Sequence, residues 1–106
     1  MTDSAAVPGW MTEALGWEGV ARGRSRWGAT DALSVDGREF AHLHGSSEVH
    51  VRLTAAGKRE HRERLRASLR IRASSSRDWI LVRCDDERSL PELREWVDLA
   101  YRANRA

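Results

Sequence analysis

The dipeptide Asp36-Gly37 is the feature that most restricts how this chain can fold. It stands between two short runs of mixed polar and apolar residues, 30–35 and 38–44. Asp-Gly suits the two positive φ angles of a type I′ turn, which joins the antiparallel strands of a β-hairpin. The sequence therefore predicts a hairpin here, closed by a two-residue loop.

Further strands are predicted on both sides of this hairpin. A second reversal at residues 45–47 leads into residues 48–53, where Val49 and Val51 alternate with His50 and Arg52. Such alternation is typical of a half-buried strand. Residues 20–27 alternate in the same way, and residues 69–73 are a candidate edge strand. Residues 79–84 form a nearly continuous apolar run, which indicates a central strand covered on both faces.

Two main helices are predicted, at residues 54–68 and 89–104. Thr54 is the candidate cap of the first, while Ser89 and Glu92 form a capping box for the second. A short helix over residues 10–17 is expected at a sheet edge, after a disordered arm at residues 1–8. We therefore predict one α+β domain over residues 9–106: an antiparallel sheet of four to six strands with the two main helices packed on one face.

Composition bears on the compartment. Cys84 is the only cysteine, so an internal disulfide cannot form and a reducing compartment is expected. No apolar run approaches the roughly 18 residues that cross a bilayer. Residues 1–9 lack the basic and apolar regions of a signal peptide. We expect a cytoplasmic protein that does not enter a membrane.

The histidines suggest a site on the sheet. If residues 45–47 form a three-residue turn, His42 lies opposite His50 and His44 lies opposite Glu48. Directly opposed side chains have Cβ atoms about 4.5–5.5 Å apart, so these four residues could share Zn²⁺ or Ni²⁺. The alternative is a partly buried structural wall, because strict pairing across Asp36-Gly37 places apolar residues on the same face: Leu33, Val35 and Phe40.

Arginine supplies 17 of the 18 basic side chains, yet the net charge is only +2. Arg22, Arg24 and Arg26 alternate along one predicted strand, and Arg62 and Arg66 belong to a charged helix. If these surfaces join, they form an electrostatic footprint for nucleic acid. The alternative is a solvated helix in which nearby glutamates pair with the arginines.

The chain also resembles a known family. Its motif and its order of elements resemble those of the luciferase-domain family of bacterial and fungal proteins. The motif is Gly37-Arg38-Glu39-Phe40-Ala41-His42-Leu43-His44-Gly45, and it is followed by a β segment, a helix, a strand that Trp79 opens and a helix that Tyr101 closes. The similarity extends over about residues 15–101. Where that family shows a histidine-rich turn and Ser-Gly-Trp, this chain has residues 69–73 and Arg77-Asp78-Trp79. The ending is also similar to YjbR-like double-wing domains, which implies a fold and no particular activity.

These observations favour a non-catalytic domain that binds a small ligand or a protein partner. The expected pocket lies between the sheet and the C-terminal helix, near His42, His44, His50 and Trp79, although Trp79 and Trp96 both fall on patterns typical of core. No nucleophile motif, phosphate loop or flavin site stands out. Nucleic-acid binding and a small metal-dependent enzyme are the alternatives, and a homodimer through an edge strand is compatible with each.

Overall fold

The computed structural model describes residues 8–25, 31–45, 47–72 and 74–106. Residues 1–7 of the predicted arm at residues 1–8, Arg26 and the end of the predicted first strand lie outside the described residues. The elements are, in chain order, α1 (Gly9–Leu15), β1 (Val20–Gly23), β2 (Ala32–Val35), β3 (Arg38–His44), β4 (Glu48–Arg52), α2 (Thr54–Glu60), α3 (Arg62–Ala67), β5 (Ile71–Arg72), β6 (Trp79–Arg83), a 3-10 turn (Glu87–Ser89) and α4 (Leu90–Asn104).

The described strands form one antiparallel sheet in the order β1-β2-β3-β4-β6-β5. The first four strands follow one another as a meander. The chain then passes through α2 and α3 to the far edge, and β6 returns between β4 and β5. The predicted α+β fold with four to six antiparallel strands is confirmed.

The helices cover one face of this sheet. α4 packs on β3 and β4, and α2 packs on α4. The stripe of α4 that faces the sheet is fully or nearly fully buried and consists of Leu93, Trp96, Val97, Ala100 and Tyr101. These are the residues whose 3.6-residue spacing predicted an amphipathic helix.

The Asp36-Gly37 turn has the predicted geometry. The φ angles are +53° at Asp36 and +77° at Gly37, and Val35 pairs with Arg38 across the loop. Both central residues of a type I′ turn need positive φ, and asparagine, aspartate and glycine tolerate it best. The predicted hairpin is confirmed.

A β-bulge interrupts this hairpin at Phe40, the third residue after the turn. Ser34 pairs with Glu39 and Leu33 pairs with Ala41, so Phe40 has no partner on β2. The extra residue turns Phe40 toward the helices, where its ring lies 5.9 Å from that of Tyr101. The predicted grouping of Leu33, Val35 and Phe40 with the histidines is therefore wrong: all three belong to the core under the helices.

The predicted helix over residues 54–68 is also corrected. It is two short helices separated at His61, whose φ and ψ of −107° and 24° leave the helical region. The ring of His61 instead meets the edge of Trp96, with centroids 6.0 Å apart. The predicted capping contact of Thr54 is confirmed, because Thr54 Oγ1 accepts a hydrogen bond from the Gly57 amide at 3.1 Å.

The predicted capping box at α4 is wrong. The Ser89 hydroxyl donates to the Asp86 carbonyl, and the carboxylate of Asp86 accepts from the Ser89 amide. Glu92 accepts from Trp96 Nε1 instead of reaching back to the chain before the helix. A 3-10 turn precedes α4, so Asp86, three residues earlier than expected, begins the helical segment.

The strand β6 has one covered face rather than two. Ile80 and Val82 are buried under the helices, whereas Trp79 and Leu81 are only half-buried. Strict alternation along a strand sends Trp79 to the side opposite α4. The prediction that Trp79 belongs to the core is therefore wrong, although Trp96 lies there as expected.

Candidate functional site

The histidine face is the side of the sheet opposite the helices, and it bears Glu39, His42, His44, Glu48, His50 and Trp79. The register predicted for β3 and β4 is confirmed, with His42 paired to His50 and His44 paired to Glu48. Because all four side chains point to one side of two neighbouring strands, they lie within reach of one another.

Two carboxylates and two imidazoles form a hydrogen-bonded chain across this face. Glu39 Oε2 lies 2.6 Å from His42 Nδ1, and His42 Nε2 lies 3.1 Å from His50 Nδ1. His50 Nε2 lies 3.1 Å from Glu48 Oε1. The chain therefore runs without interruption from one glutamate to the other.

Each end of the chain has an additional donor. The Ser25 hydroxyl donates to Glu39 Oε2 at 2.8 Å, and Arg72 Nη1 donates to Glu48 Oε2 at 2.6 Å. Arg72 belongs to the edge strand β5, and Ser25 lies two residues beyond the end of β1, the other edge strand. Each carboxylate is thereby fixed in position by a contact from outside the β3–β4 hairpin.

The environment sets the protonation of His42. Burial lowers the pKa of its imidazole, and the contact with Glu39 offsets this only in part. His50 and His44 lower the pKa of His42 further by charge repulsion. The net direction is downward from 6.5, which favours the neutral ring.

Glu48 is held as a carboxylate. Burial raises the pKa of its carboxyl group, but hydrogen bonds from His50 and Arg72 outweigh that effect, so the pKa is lowered. Glu48 therefore presents an anionic oxygen to the imidazoles at neutral pH.

His44, Glu48 and His50 bring their ligand atoms together. One nitrogen of each imidazole and one carboxylate oxygen lie within 4.8 Å of one another. The rings of His44 and His50 stack with centroids 4.6 Å apart and planes 19° apart. His44 is exposed, so this group opens to solvent. His42, which the sequence grouped with them, lies behind, and both its ring nitrogens are in contact with Glu39 and His50.

Trp79 lines a cleft beside the buried histidine. Its ring centroid is 5.1 Å from that of His42. The cleft has a volume of about 490 Å³ and is lined by Trp79, Glu39 and three arginines: Arg24, Arg38 and Arg52. The pocket expected between the sheet and the C-terminal helix is corrected, because core side chains of α4 fill that space and the cleft meets α4 only at its end.

The predicted arginine surfaces lie at opposite ends of the sheet. Arg22 and Arg24 belong to or follow β1, whereas Arg62 and Arg66 belong to α3, which leads into β5 at the other edge. Arg22 forms an ion pair with Asp31 at 2.5 Å. Nucleic-acid binding stays a prediction, with its two halves placed apart in the fold.

A model of the luciferase domain matches residues 37–100 of this chain. The chain belongs to the luciferase-domain family. The match begins at the β2–β3 turn and includes every residue of the histidine face. Ser25 and Arg24 of this luciferase-domain protein precede the matched segment. Searches of curated proteins and of solved structures found no significant match.

Sequence reasoning missed Glu39, which is one end of the hydrogen-bonded chain, and the two donors at its ends, Ser25 and Arg72. Glu39 stands three residues before His42, and strict alternation would place the two on opposite faces. The bulge at Phe40 removes that separation. The only signal in the sequence was the place of Glu39 in the motif shared with the luciferase-domain family.

Among the described residues, no helix combines the length and apolar character needed to span a bilayer.

Proposed function

We propose that this luciferase-domain protein is a ligand-binding domain, and that it holds a small anionic molecule in the cleft beside Trp79. The observation that carries the proposal is the charge of the lining. Three guanidinium groups face the cleft with one carboxylate, Glu39, which is already hydrogen-bonded to Ser25 and His42. Guanidinium groups match carboxylate and phosphate groups in shape and charge.

Two of the arginines are positioned before any ligand arrives. Arg38 donates to the Asn104 carbonyl at 3.1 Å, and Arg52 donates to the side chain of Asn104. The Asn104 amide in turn donates to the Arg52 carbonyl at 2.9 Å, which ties the end of α4 to β4. Fixed donors lose less conformational entropy on binding, so this arrangement favours affinity.

Arg24 is the third lining arginine and is exposed. No hydrogen bond or ion pair joins its guanidinium to any other described residue. Its donors are therefore free to meet an anion. A volume of about 490 Å³ falls in the range of about 300–1,000 Å³ typical of small-molecule sites. The ring of Trp79 provides an apolar wall for the remainder of the ligand.

The test is a thermal-melt series with inorganic phosphate, citrate and flavin mononucleotide as probes. A probe at 100 times its Kd stabilises the folded state by about 2.7 kcal/mol, which shifts Tm by several degrees. We expect Arg24→Gln to reduce the shift and Arg62→Gln to preserve it. Arg62 is a matched control, because it is an exposed arginine on α3 that does not line the cleft.

Two results would contradict the proposal: no shift with any anionic probe, or equal losses in the two variants. A shift with duplex DNA that falls steeply with salt and disappears in Arg62→Gln would support nucleic-acid binding instead.

A further inference from the structure

The three contacts of the hydrogen-bonded chain on the histidine face need one hydrogen more than two neutral imidazoles carry. These contacts join ring nitrogens to their neighbours, and each contact needs one hydrogen atom: Glu39–His42, His42–His50 and His50–Glu48. Two neutral imidazoles supply only two hydrogens. The third contact therefore brings two acceptors face to face unless a proton or another cation lies there.

Two hydrogens can be placed in the three contacts in more than one way, and a cation bound at the solvent-facing end selects one arrangement. His42 Nδ1 donates to Glu39, which leaves His42 Nε2 as an acceptor. In that arrangement His50 Nδ1 donates to His42 Nε2, and the lone pair of His50 Nε2 is directed at Glu48 Oε1, 3.1 Å away. Without the cation, His50 Nε2 donates to Glu48 instead, and the contact between His42 and His50 lacks the hydrogen. A neutral imidazole nitrogen and a carboxylate oxygen that face each other are ligand atoms that divalent transition metals prefer.

His44 completes a set of three ligands with His50 and Glu48. Its ring stacks on that of His50, and its ligand nitrogen lies within 4.8 Å of those of His50 and Glu48. Ligands of a tetrahedral zinc ion are about 3.3 Å apart, given metal–ligand distances of about 2.0–2.1 Å. Small side-chain rotations would bring the three ligand atoms, now within 4.8 Å of one another, to that spacing. His44 is free to move because it is exposed.

The remaining contacts orient these ligands as a metal site requires. Arg72 holds Glu48 Oε2, so Glu48 offers a single oxygen, Oε1. A histidine that binds a metal commonly donates its other ring nitrogen to a polar partner, which fixes the tautomer. With a metal on His50 Nε2, His50 Nδ1 would donate to His42, and His42 would donate to Glu39, which is itself held by Ser25.

We propose that His44, Glu48 and His50 bind one divalent transition-metal ion, with Zn²⁺ as the best match to two nitrogens and one oxygen. His42 and Glu39 are positioning residues that hold His50 from behind. Three protein ligands leave a fourth tetrahedral position for water on the solvent side. The proposal is independent of the anion cleft, since it uses neither Arg24 nor Trp79.

The experiment uses full-length, tag-free protein that has been treated with chelator. Zn²⁺ is titrated by calorimetry, and Co²⁺ is added in parallel because tetrahedral Co²⁺ absorbs strongly in the visible region. We expect one ion per chain and a tetrahedral Co²⁺ spectrum. His44→Ala should weaken Zn²⁺ binding by at least about 100-fold, more than is usual for loss of a residue behind the ligands.

His61→Ala is the matched control, since His61 is the one histidine of the chain outside the histidine face. It should leave the affinity and the spectrum unchanged. Glu39→Gln should weaken binding by about 10–100-fold while keeping the stoichiometry of one ion. His44 is exposed, so His44→Ala is expected to fold, and circular dichroism checks this.

The proposal is overturned if chelator-treated wild-type protein takes up no Zn²⁺, or if His44→Ala binds as tightly as wild type. Equal weakening by His44→Ala and His61→Ala would likewise exclude a site on the histidine face. An octahedral Co²⁺ spectrum would contradict the tetrahedral site of three protein ligands and one water.

Discussion

Glu39 and His42 lie three residues apart on one strand, yet their side chains meet on the same side of the sheet, with Glu39 Oε2 2.6 Å from His42 Nδ1. The bulge at Phe40 makes this contact, because it adds one residue between them without a partner on β2. The same bulge directs the Phe40 ring against Tyr101. Core packing and the hydrogen-bonded chain therefore depend on one local irregularity.

Glu39→Gln is expected to destabilise the fold. Glutamine keeps a carbonyl oxygen that can accept from both Ser25 and His42, but it loses the charge that strengthens these hydrogen bonds. We expect the free energy of unfolding to fall by about 1–2 kcal/mol, measured by urea denaturation. The control is Glu63→Gln on the exposed side of α3, which should change stability by less than about 0.5 kcal/mol. Equal effects of the two substitutions would contradict this prediction.

The stability of the metal-free protein should fall as the pH is lowered below about 6.5. Burial holds the pKa of folded His42 below its value in the unfolded chain, so the unfolded state binds more protons in this range. The contribution is complete above the unfolded pKa and is lost as the pH falls through the folded pKa. This contribution changes the free energy of unfolding by at most about 1.4 kcal/mol per pH unit.

The test of this pH dependence must separate His42 from the titratable groups that face it. Glu39 raises the pKa of His42, whereas His50 and His44 lower it. Glu48, with a pKa held below 4.5, stays ionised between pH 6.5 and 5 and does not contribute there. Denaturation at pH 7, 6 and 5 should show a shallower slope for His42→Gln than for wild type or His61→Gln. An unchanged slope in His42→Gln would show that other groups cause the dependence.

Gly57→Ala is expected to destabilise the protein although Gly57 lies in a helix. A Cβ atom there would lie 2.9 Å from Leu53 Cγ, and Leu53 is fully buried. Overpacking of this kind costs about 1–3 kcal/mol, which exceeds the gain of up to about 1 kcal/mol from replacing a helical glycine. Gly9→Ala in α1 is the control, because a Cβ atom there meets nothing within 4 Å. A rise in Tm for Gly57→Ala would show that Leu53 relaxes without cost.

Thr54→Asn is expected to stabilise the start of α2. Thr54 has a φ of +75°, which is unfavourable for a β-branched residue and better tolerated by asparagine. Asparagine also keeps an oxygen that can accept from the Gly57 amide, as Thr54 does. We expect a gain of about 0.5–1 kcal/mol in thermal unfolding. Thr54→Val keeps the branched shape and removes the acceptor, so it should lower Tm; a rise would contradict this account.

Much of the fold could be read from neighbouring residues. Three features follow from local φ preferences and from residue periodicity: the Asp36-Gly37 turn, the pairing of His42 with His50, and the buried stripe of α4. These signals act within a few residues, so they are present in the sequence itself. The predicted contact between Thr54 and the amide of α2 belongs to the same class.

The tertiary structure decided which of these residues meet. The bulge that brings Glu39 to His42 accompanies the packing of Phe40 on Tyr101, 61 positions later in the chain. Arg72 reaches Glu48 only because β5 pairs with β6, which in turn pairs with β4. The break at His61 likewise accompanies its contact with Trp96. Each contact joins residues distant in sequence, so the competition among packings in the whole fold, and not a local pattern, determines it.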